Sequence, residues 1–403
     1  MLKGKTVVLG VTGSIAAYKI ANLASMLVKL HADVHVIMTK NATNFINPIA
    51  FETLTKNKCM VDTFDRDFMF DVAHVSLADK ADIMLVAPAS ANIIAKMAHG
   101  IADDMLSTTF LAMKCPVLVS PAMNVNMFTN PIVQDNLKTL ERYGIEVIQP
   151  DDGYLACGYT GKGKLPSESV LLDYILREIA KEKDLRGKKI LVTAGPTREK
   201  IDPVRFITNH SSGKMGYAIA RQAMLRGAEV TLVTGSVSLT PPPFTEVVRI
   251  ESAQEMFEAV TKRFEDTDIV IKAAAVADYT PAQYIDTKIK KDSGVDMSSL
   301  KLERTADILK WLGEHKKPDQ LVCGFSMETE NVLENSREKL KKKNADLIAA
   351  NSISDAGSGF GTDTNHLVLI GKDGVTDLPL LSKEEAADRL LDVLLTLSST
   401  KKV

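Results

Sequence analysis

Leu2-Lys-Gly-Lys-Thr-Val-Val-Leu-Gly-Val-Thr-Gly13 and Leu185-Arg-Gly-Lys-Lys-Ile-Leu-Val-Thr-Ala-Gly195 share one pattern. Each has a basic lead-in, a short apolar run and a turn built from threonine and glycine. A run of this kind reads as the first buried strand of an open α/β domain, whose ligands bind beyond the carboxyl ends of its strands. Two such starts predict two domains, 1–180 and 181–403, joined near the charged stretch Arg177–Lys189.

The pattern continues on both sides. In the first half, apolar strand-like runs fall at Val34–Met38, Ile83–Pro88, Val117–Pro121 and Glu146–Gln149, with helical spacing at Ala16–Leu30 and Ile132–Tyr143. In the second half they fall at Glu229–Thr234, Ile269–Ala274, Leu321–Phe325, Leu347–Ala350 and His366–Ile370. Helices are expected there over Gly216–Arg226, Ala253–Phe264, Thr305–Leu312 and Val332–Lys343. Short apolar runs alternating with helices predict α/β architecture, a doubly wound, mostly parallel sheet in each half.

The 403 residues carry 49 basic against 51 acidic side chains, a net charge of −2 that argues against a general nucleic-acid binder. Cys59, Cys115, Cys157 and Cys323 lack CxxC spacing and read as reduced thiols of a cytoplasmic enzyme. No run reaches the ~18–20 apolar residues of a membrane span. The apolar start is too short for a signal peptide and runs into a glycine turn.

Residues just after strands are the candidates for ligand contact. Thr12-Gly13-Ser14-Ile15-Ala16 offers small residues, backbone N–H groups and a hydroxyl to a phosphate; a plain strand-to-helix turn is the other reading. Thr39 adds a second hydroxyl, and Pro88-Ala-Ser90-Ala-Asn92 follows a further strand. In Pro121-Ala-Met-Asn124-Val-Asn-Met-Phe128, the Asn124 amide can both donate to and accept from a polar substrate. Asp151-to-Gly163 reads as a flexible glycine-rich loop around Cys157, suited to closing over a site. His74, between apolar neighbours, reads by default as a satisfied core or surface histidine. In the second half, Ser211-Ser-Gly-Lys-Met-Gly216 suits an anion or a capped helix. Ala273-Ala274-Ala-Val-Ala-Asp278 lets a base approach the backbone and adds a carboxylate. Lys288-Ile-Lys-Lys291 is either a solvated basic turn or a triphosphate clamp. Neither a GxGxxG nor a Walker A string is present, which weakens both an ordinary nicotinamide-dependent oxidoreductase and a P-loop ATPase.

Taken in order, Thr12-Gly-Ser-Ile-Ala, His74-Val, Pro88-Ala-Ser-Ala-Asn92, Pro121-Ala-Met-Asn-Val-Asn-Met127 and Ala156-Cys-Gly158 resemble the signature of the flavin-dependent cysteine decarboxylases. With Thr208-Asn-His-Ser-Ser-Gly-Lys-Met-Gly216 and the Lys-x-Lys-Lys string, the whole chain resembles the bifunctional phosphopantothenoylcysteine decarboxylase/phosphopantothenate–cysteine ligase family. It departs from that family at Ile93 (usually Thr), Phe128 (usually Trp) and Ala306 (usually Pro).

The resemblance implies a flavodoxin-like FMN domain followed by a CTP-using domain. The ligase would activate 4′-phosphopantothenate as an acyl-cytidylate, with Mg²⁺ on the triphosphate, and cysteine would displace the nucleotide. The decarboxylase would oxidise the cysteine thiol of the product through FMN, lose CO₂ and regain the hydride. It further implies His74 as base, Asn124 as carboxylate ligand and Cys157 as proton donor, with Gly13, Ser14, Ile15, Thr39, Ser90 and Asn92 at the flavin. In the ligase, Asn209 would hold the acyl intermediate and Lys288 would stabilise phosphate charge. Ala273, Ala274, Asp278, Ala306, Asp307, Ile308, Leu309, Phe325, Lys339 and Lys343 are the matching CTP contacts. A homo-oligomer built from trimers, up to a dodecamer, is implied in the same way.

Overall fold

The computed structural model describes residues 1–64, 73–154, 158–289, 300–328, 331–352, 359 and 361–401. The chain forms two compact units, Met1–Lys181 and Glu182–Val403. Both are α/β.

The first unit is built on five parallel strands: β1 (Thr6–Val11), β2 (Asp33–Met38), β3 (Ile83–Ala89), β4 (Val117–Pro121) and β5 (Glu146–Val147). Their order is 2-1-3-4-5, the flavodoxin-like winding, which places a crevice at the switch point between β1 and β3. Every residue of β3 is buried, as expected of a central strand covered on both faces. Helix starts follow from local chemistry. The Asn47 and Asn130 side chains cap helices Pro48–Thr55 and Pro131–Arg142, each with proline in its first turn. The glycine-rich segment expected to be a flexible loop is instead an antiparallel hairpin, β6 (Asp151–Tyr154) with β7 (Thr160–Lys164). Its Gly163, at φ +146°, lets the strand lie against Met123, whose carbonyl oxygen a Cβ would meet at 2.3 Å.

The second unit carries an eight-stranded sheet. Its strands are β8 (Lys189–Ala194), β9 (Glu229–Thr234), β10 (Glu246–Arg249), β11 (Ile269–Lys272), β12 (Leu321–Glu328), β13 (Leu347–Ser352), β14 (Val368–Gly371) and β15 (Val375–Asp377). The order 10-9-8-11-12-13-14-15 is parallel through β13 and closes with two antiparallel strands. Its first six strands have the 3-2-1-4-5-6 winding of dinucleotide-binding sheets, with the switch point between β8 and β11.

The two lead-ins are latches of the same construction. Leu2 and Leu185 are fully buried, and Gly4 and Gly187 turn the chain with positive φ. Asp82 then accepts from the Thr6 N–H at 2.8 Å and from Lys5 Nζ at 2.8 Å. Asp268 accepts from the Lys189 N–H at 2.7 Å and faces Lys188 Nζ at 3.7 Å. In each unit a carboxylate at the head of the neighbouring strand therefore fixes where the first strand begins.

Candidate active sites

At the first switch point the loops after β1 and β3 are tied together. Thr12 Oγ1 donates to the Pro88 carbonyl at 2.6 Å and accepts from the Ser90 N–H at 3.0 Å. Helix Ala17–Lys29 begins at Ala16 without a side-chain cap, so its first-turn N–H groups are not taken up by a capping side chain. Gly13 leaves room that a side chain would remove, since a Cβ there would lie 2.9 Å from the Asn41 Cβ. Thr39 Oγ1 is buried and has no hydrogen-bond partner among the described residues. A polar atom in that state costs free energy unless a ligand satisfies it. Small residues, an uncapped helix start and an unpartnered hydroxyl are the groups by which helix starts bind anions.

The remaining residues expected here are distributed as follows. Ser14 and Ile15 lie in the β1 loop, and Ile15 is exposed. Ser90 caps helix Ala91–His99 through the Ile93 N–H, and Asn92 is exposed on its first turn. Asn124 caps the short helix Val125–Phe128, accepting from the Asn126 N–H at 2.8 Å. The hairpin supports this segment, because the Met123 N–H donates to the Gly163 carbonyl at 3.1 Å. His74 is half-buried in the first turn of helix Ala73–Lys80. Cys157 lies outside the described residues.

The second switch point is laced in a comparable way. The Ala275 N–H donates to the Gly195 carbonyl at 3.0 Å, the Ala274 N–H to Thr193 Oγ1 at 3.1 Å, and the Ala277 N–H to Thr197 Oγ1 at 3.0 Å. Asn209 Nδ2 donates to the Ala275 and Val276 carbonyls at 3.2 and 3.3 Å. Helix Lys214–Leu225 starts from Gly213, at φ +78° and with no side-chain cap. Gly216 allows that helix to meet β8, since a Cβ there would come within 2.6 Å of the Ala194 Cβ.

These pieces border a cavity of about 440 Å³ whose lining includes Asn209, Ala273, Ala274, Asp278, Phe325 and Lys339. Five of the residues expected at the nucleotide are thus brought together with Asn209, expected at the acyl intermediate. The others stand outside the lining. Lys288 is exposed, Lys290 and Lys291 lie outside the described residues, and Ala306 is half-buried. Ile308 and Leu309 are buried in the core, which leaves only their backbone for any ligand contact. Asp307 caps helix Ile308–His315 through the Lys310 N–H, which is why that helix starts later than its periodicity predicts. Lys343 caps the end of helix Val332–Lys342 and pairs with Asp307.

Sequence reasoning missed Lys272, at the carboxyl end of β11 and in the cavity wall. Burial, reinforced by the ammonium groups of Lys339 and Lys343, pushes its pKa down to about 8, with Asp307 and Asp278 opposing. A buried lysine whose charge is disfavoured beside two others suits an anionic ligand, whose arrival favours the charged form. Its signal in the sequence was a lysine ending the apolar run Ile-Val-Ile-Lys272 immediately before three alanines. Lys383, also in the wall, was missed as well. It is 6% exposed and donates to the Gly359 carbonyl at 2.9 Å.

Two doubly wound units, each with small-residue loops and a helix start free of a side-chain cap at its switch point, define a tandem α/β nucleotide-type fold. Residues 1–180 match the flavoprotein family, and 185–397 match the C-terminal domain of the DNA/pantothenate metabolism flavoproteins. The coenzyme A biosynthesis bifunctional protein CoaBC of Bacillus subtilis strain 168 is 46% identical over 402 residues, covering 99% of this chain and 98% of that one. A cysteine/cysteine sulfinic acid decarboxylase from an unknown prokaryotic organism is 45% identical over 358 residues, covering 87% of this chain and 99% of that one. The crystal structure of a CoaBC C-terminal domain is 48% identical, covers 54% of this chain and 100% of that one, and superposes with a TM-score of 0.47. The chain belongs to the family of bifunctional coenzyme A biosynthesis proteins, enzymes that join a decarboxylase and a ligase in one polypeptide.

Proposed function

We propose that the unit Glu182–Val403 ligates cysteine to 4′-phosphopantothenate with CTP, and that Met1–Lys181 decarboxylates the product, 4′-phosphopantothenoylcysteine, with FMN to 4′-phosphopantetheine. The observation that carries this reading is the pair of different anion receptors, one at each switch point. The first has a single unpartnered hydroxyl, Thr39, among small residues and fits the phosphate of FMN. The second is lined by lysines and fits a triphosphate.

In the ligase, the first-turn N–H groups of helix Lys214–Leu225 and the ammonium groups of Lys272 and Lys339 bind phosphate oxygens. Asn209, held on the Ala275 and Val276 carbonyls, is oriented toward the acyl group. Lys288 stabilises charge as pyrophosphate leaves. Magnesium would be held by the triphosphate and would offset its charge.

In the decarboxylase, bound FMN supplies two-electron oxidation and reduction of the thiol carbon. Asn124 holds the substrate carboxylate, His74 takes up a proton, and Cys157 returns one. The unit works in a homo-oligomer built from trimers. In support, large apolar side chains stand exposed on the segments that follow β1 and β2, among them Ile15, Tyr18, Phe45 and Ile49. Among the described residues no helix is long and apolar enough to cross a membrane. We place the enzyme in the cytoplasm.

The test is mass spectrometry of the full-length protein given phosphopantothenate, cysteine, CTP and Mg²⁺. Appearance of 4′-phosphopantetheine is the expected result. Accumulation of phosphopantothenoylcysteine with FMN bound would remove the decarboxylase assignment. Release of CO₂ from free cysteine would favour instead the substrate named for the second relative. A narrower expectation concerns Thr39→Val, which keeps the side-chain shape and removes only the hydroxyl. FMN affinity is expected to fall about 10- to 100-fold, the worth of one hydrogen bond to a charged group. Stability of the flavin-free protein should not fall, because the hydroxyl has no partner in the protein and its removal relieves a desolvation cost. Equal FMN affinity in a flavin titration would remove Thr39 from the site.

A further inference from the structure

We propose that Asp202 and Arg205 form a positioning pair that sets the reach of Lys288 by clamping the backbone of Ile289. The proposal rests on the ligase reading, in which Lys288 acts on the phosphates. Asp202 is 1% exposed, and its carboxylate is fully engaged. Oδ1 accepts from the Val204 and Arg205 N–H groups, both at 2.7 Å, which closes the turn Asp202-Pro-Val-Arg205. Those two bonds would suffice for a turn.

The other oxygen serves a residue far away in sequence. Oδ2 accepts from the Ile289 N–H at 3.2 Å and from Arg205 Nη1 at 3.1 Å, and the same Arg205 nitrogen donates to the Ile289 carbonyl at 3.2 Å. Ile289 is therefore held at both of its peptide groups, and its side chain is buried at 5% exposure. Four residues earlier, the Ile285 N–H donates to the Ile201 carbonyl at 3.1 Å, so the strand of chain carrying Lys288 is pinned on either side of it. Lys288 itself is exposed. A lysine is a point charge on a flexible stem, and its effect on a ligand depends on where its Cα is fixed. Here the nearest fixing point is the backbone of the next residue, held by Asp202 and Arg205. Burial opposes the Asp202 charge. The three N–H groups and Arg205 outweigh it and hold the carboxyl below its usual range.

The test is a double-mutant cycle in the full-length protein, measuring pyrophosphate release from CTP in the presence of phosphopantothenate. Asp202→Asn keeps one oxygen for the turn and sets an amide against the Ile289 N–H and Arg205. It is expected to slow pyrophosphate release about 10- to 100-fold when Lys288 is present, the worth of a charged hydrogen bond. In the Lys288→Ala background it should cost less than about twofold. Hydrogen exchange at the Ile289 amide should accelerate, and decarboxylation of supplied phosphopantothenoylcysteine should not change. An equal loss in both backgrounds would mean that Asp202 acts on stability alone and would overturn the proposal. So would an unchanged Ile289 exchange rate. If Asp202→Asn does not fold, Arg205→Gln runs the same cycle, because it leaves the turn bonds intact. If Lys288→Ala by itself leaves pyrophosphate release unaltered, the ligase role of Lys288 fails, and this outcome is distinct from additivity.

Discussion

The Lys288→Ala protein is expected to lose CTP-dependent ligation by about 10²–10³-fold while its decarboxylase half works at the normal rate. The magnitude is that of removing one preorganised charge or donor from a site where negative charge develops. Lys288 is exposed and makes no hydrogen bond or ion pair among the described residues, so its removal should not disturb the fold. The step affected is formation of the acyl-cytidylate, read as pyrophosphate release. Capture by cysteine of an acyl-cytidylate supplied from outside should be far less sensitive. Ligation at more than about a third of the normal rate would show the lysine string to be an ordinary solvated turn.

The second large effect is on stability. Arg226 is 4% exposed and bound on all sides. Its Nε and Nη2 grip Asp184 at 2.9 and 2.6 Å, and its Nη1 reaches Asp392 Oδ1 at 2.8 Å and the Asp388 carbonyl at 3.1 Å. Asp184 stands at the start of the second unit and Asp388 and Asp392 on its last helix, Lys383–Thr400. One guanidinium thus holds the two ends of that unit together. Arg226→Ala leaves three carboxylates facing one another and is expected to destabilise the unit by about 3 kcal/mol, the low end for a broken buried pair, because the carboxylates can still reach water. Trp311 is the only tryptophan in the sequence and lies in this unit, so its fluorescence follows the transition in urea. A change below about 1 kcal/mol would show that the cluster contributes only as a surface ion pair does.

Much of this was legible in the chain because buried parallel strands announce themselves. Ile83–Ala89 and Glu229–Thr234 are short apolar runs ended by turn residues, and the sheets follow from them. The ligand loops were legible for the same reason, since they begin where those runs stop. What escaped was set by long-range partners. Asp151–Lys164 looks like a loop because glycine lowers strand propensity. It pairs because Gly161 and Gly163 permit a backbone approach to the Met123–Val125 segment, which no local pattern encodes. Lys272 escaped because its character comes from burial and then from Lys339 and Lys343, about seventy residues on. Ile308 and Leu309 were named from a motif, and the core claimed their side chains.

The paired latches have a consequence for how the protein is made. Asp82 secures Thr6 across 76 residues, and Asp268 secures Lys189 across 79. Neither latch borrows a residue from the other half. As the polypeptide leaves the ribosome, the first sheet can register its opening strand as soon as Asp82 has emerged, before any of Glu182–Val403 exists. The second half then repeats the operation with its own aspartate. Each latch closes a loop of only about 80 residues in a chain five times that length. A fault in one latch should therefore delay its own half without spoiling the half already formed.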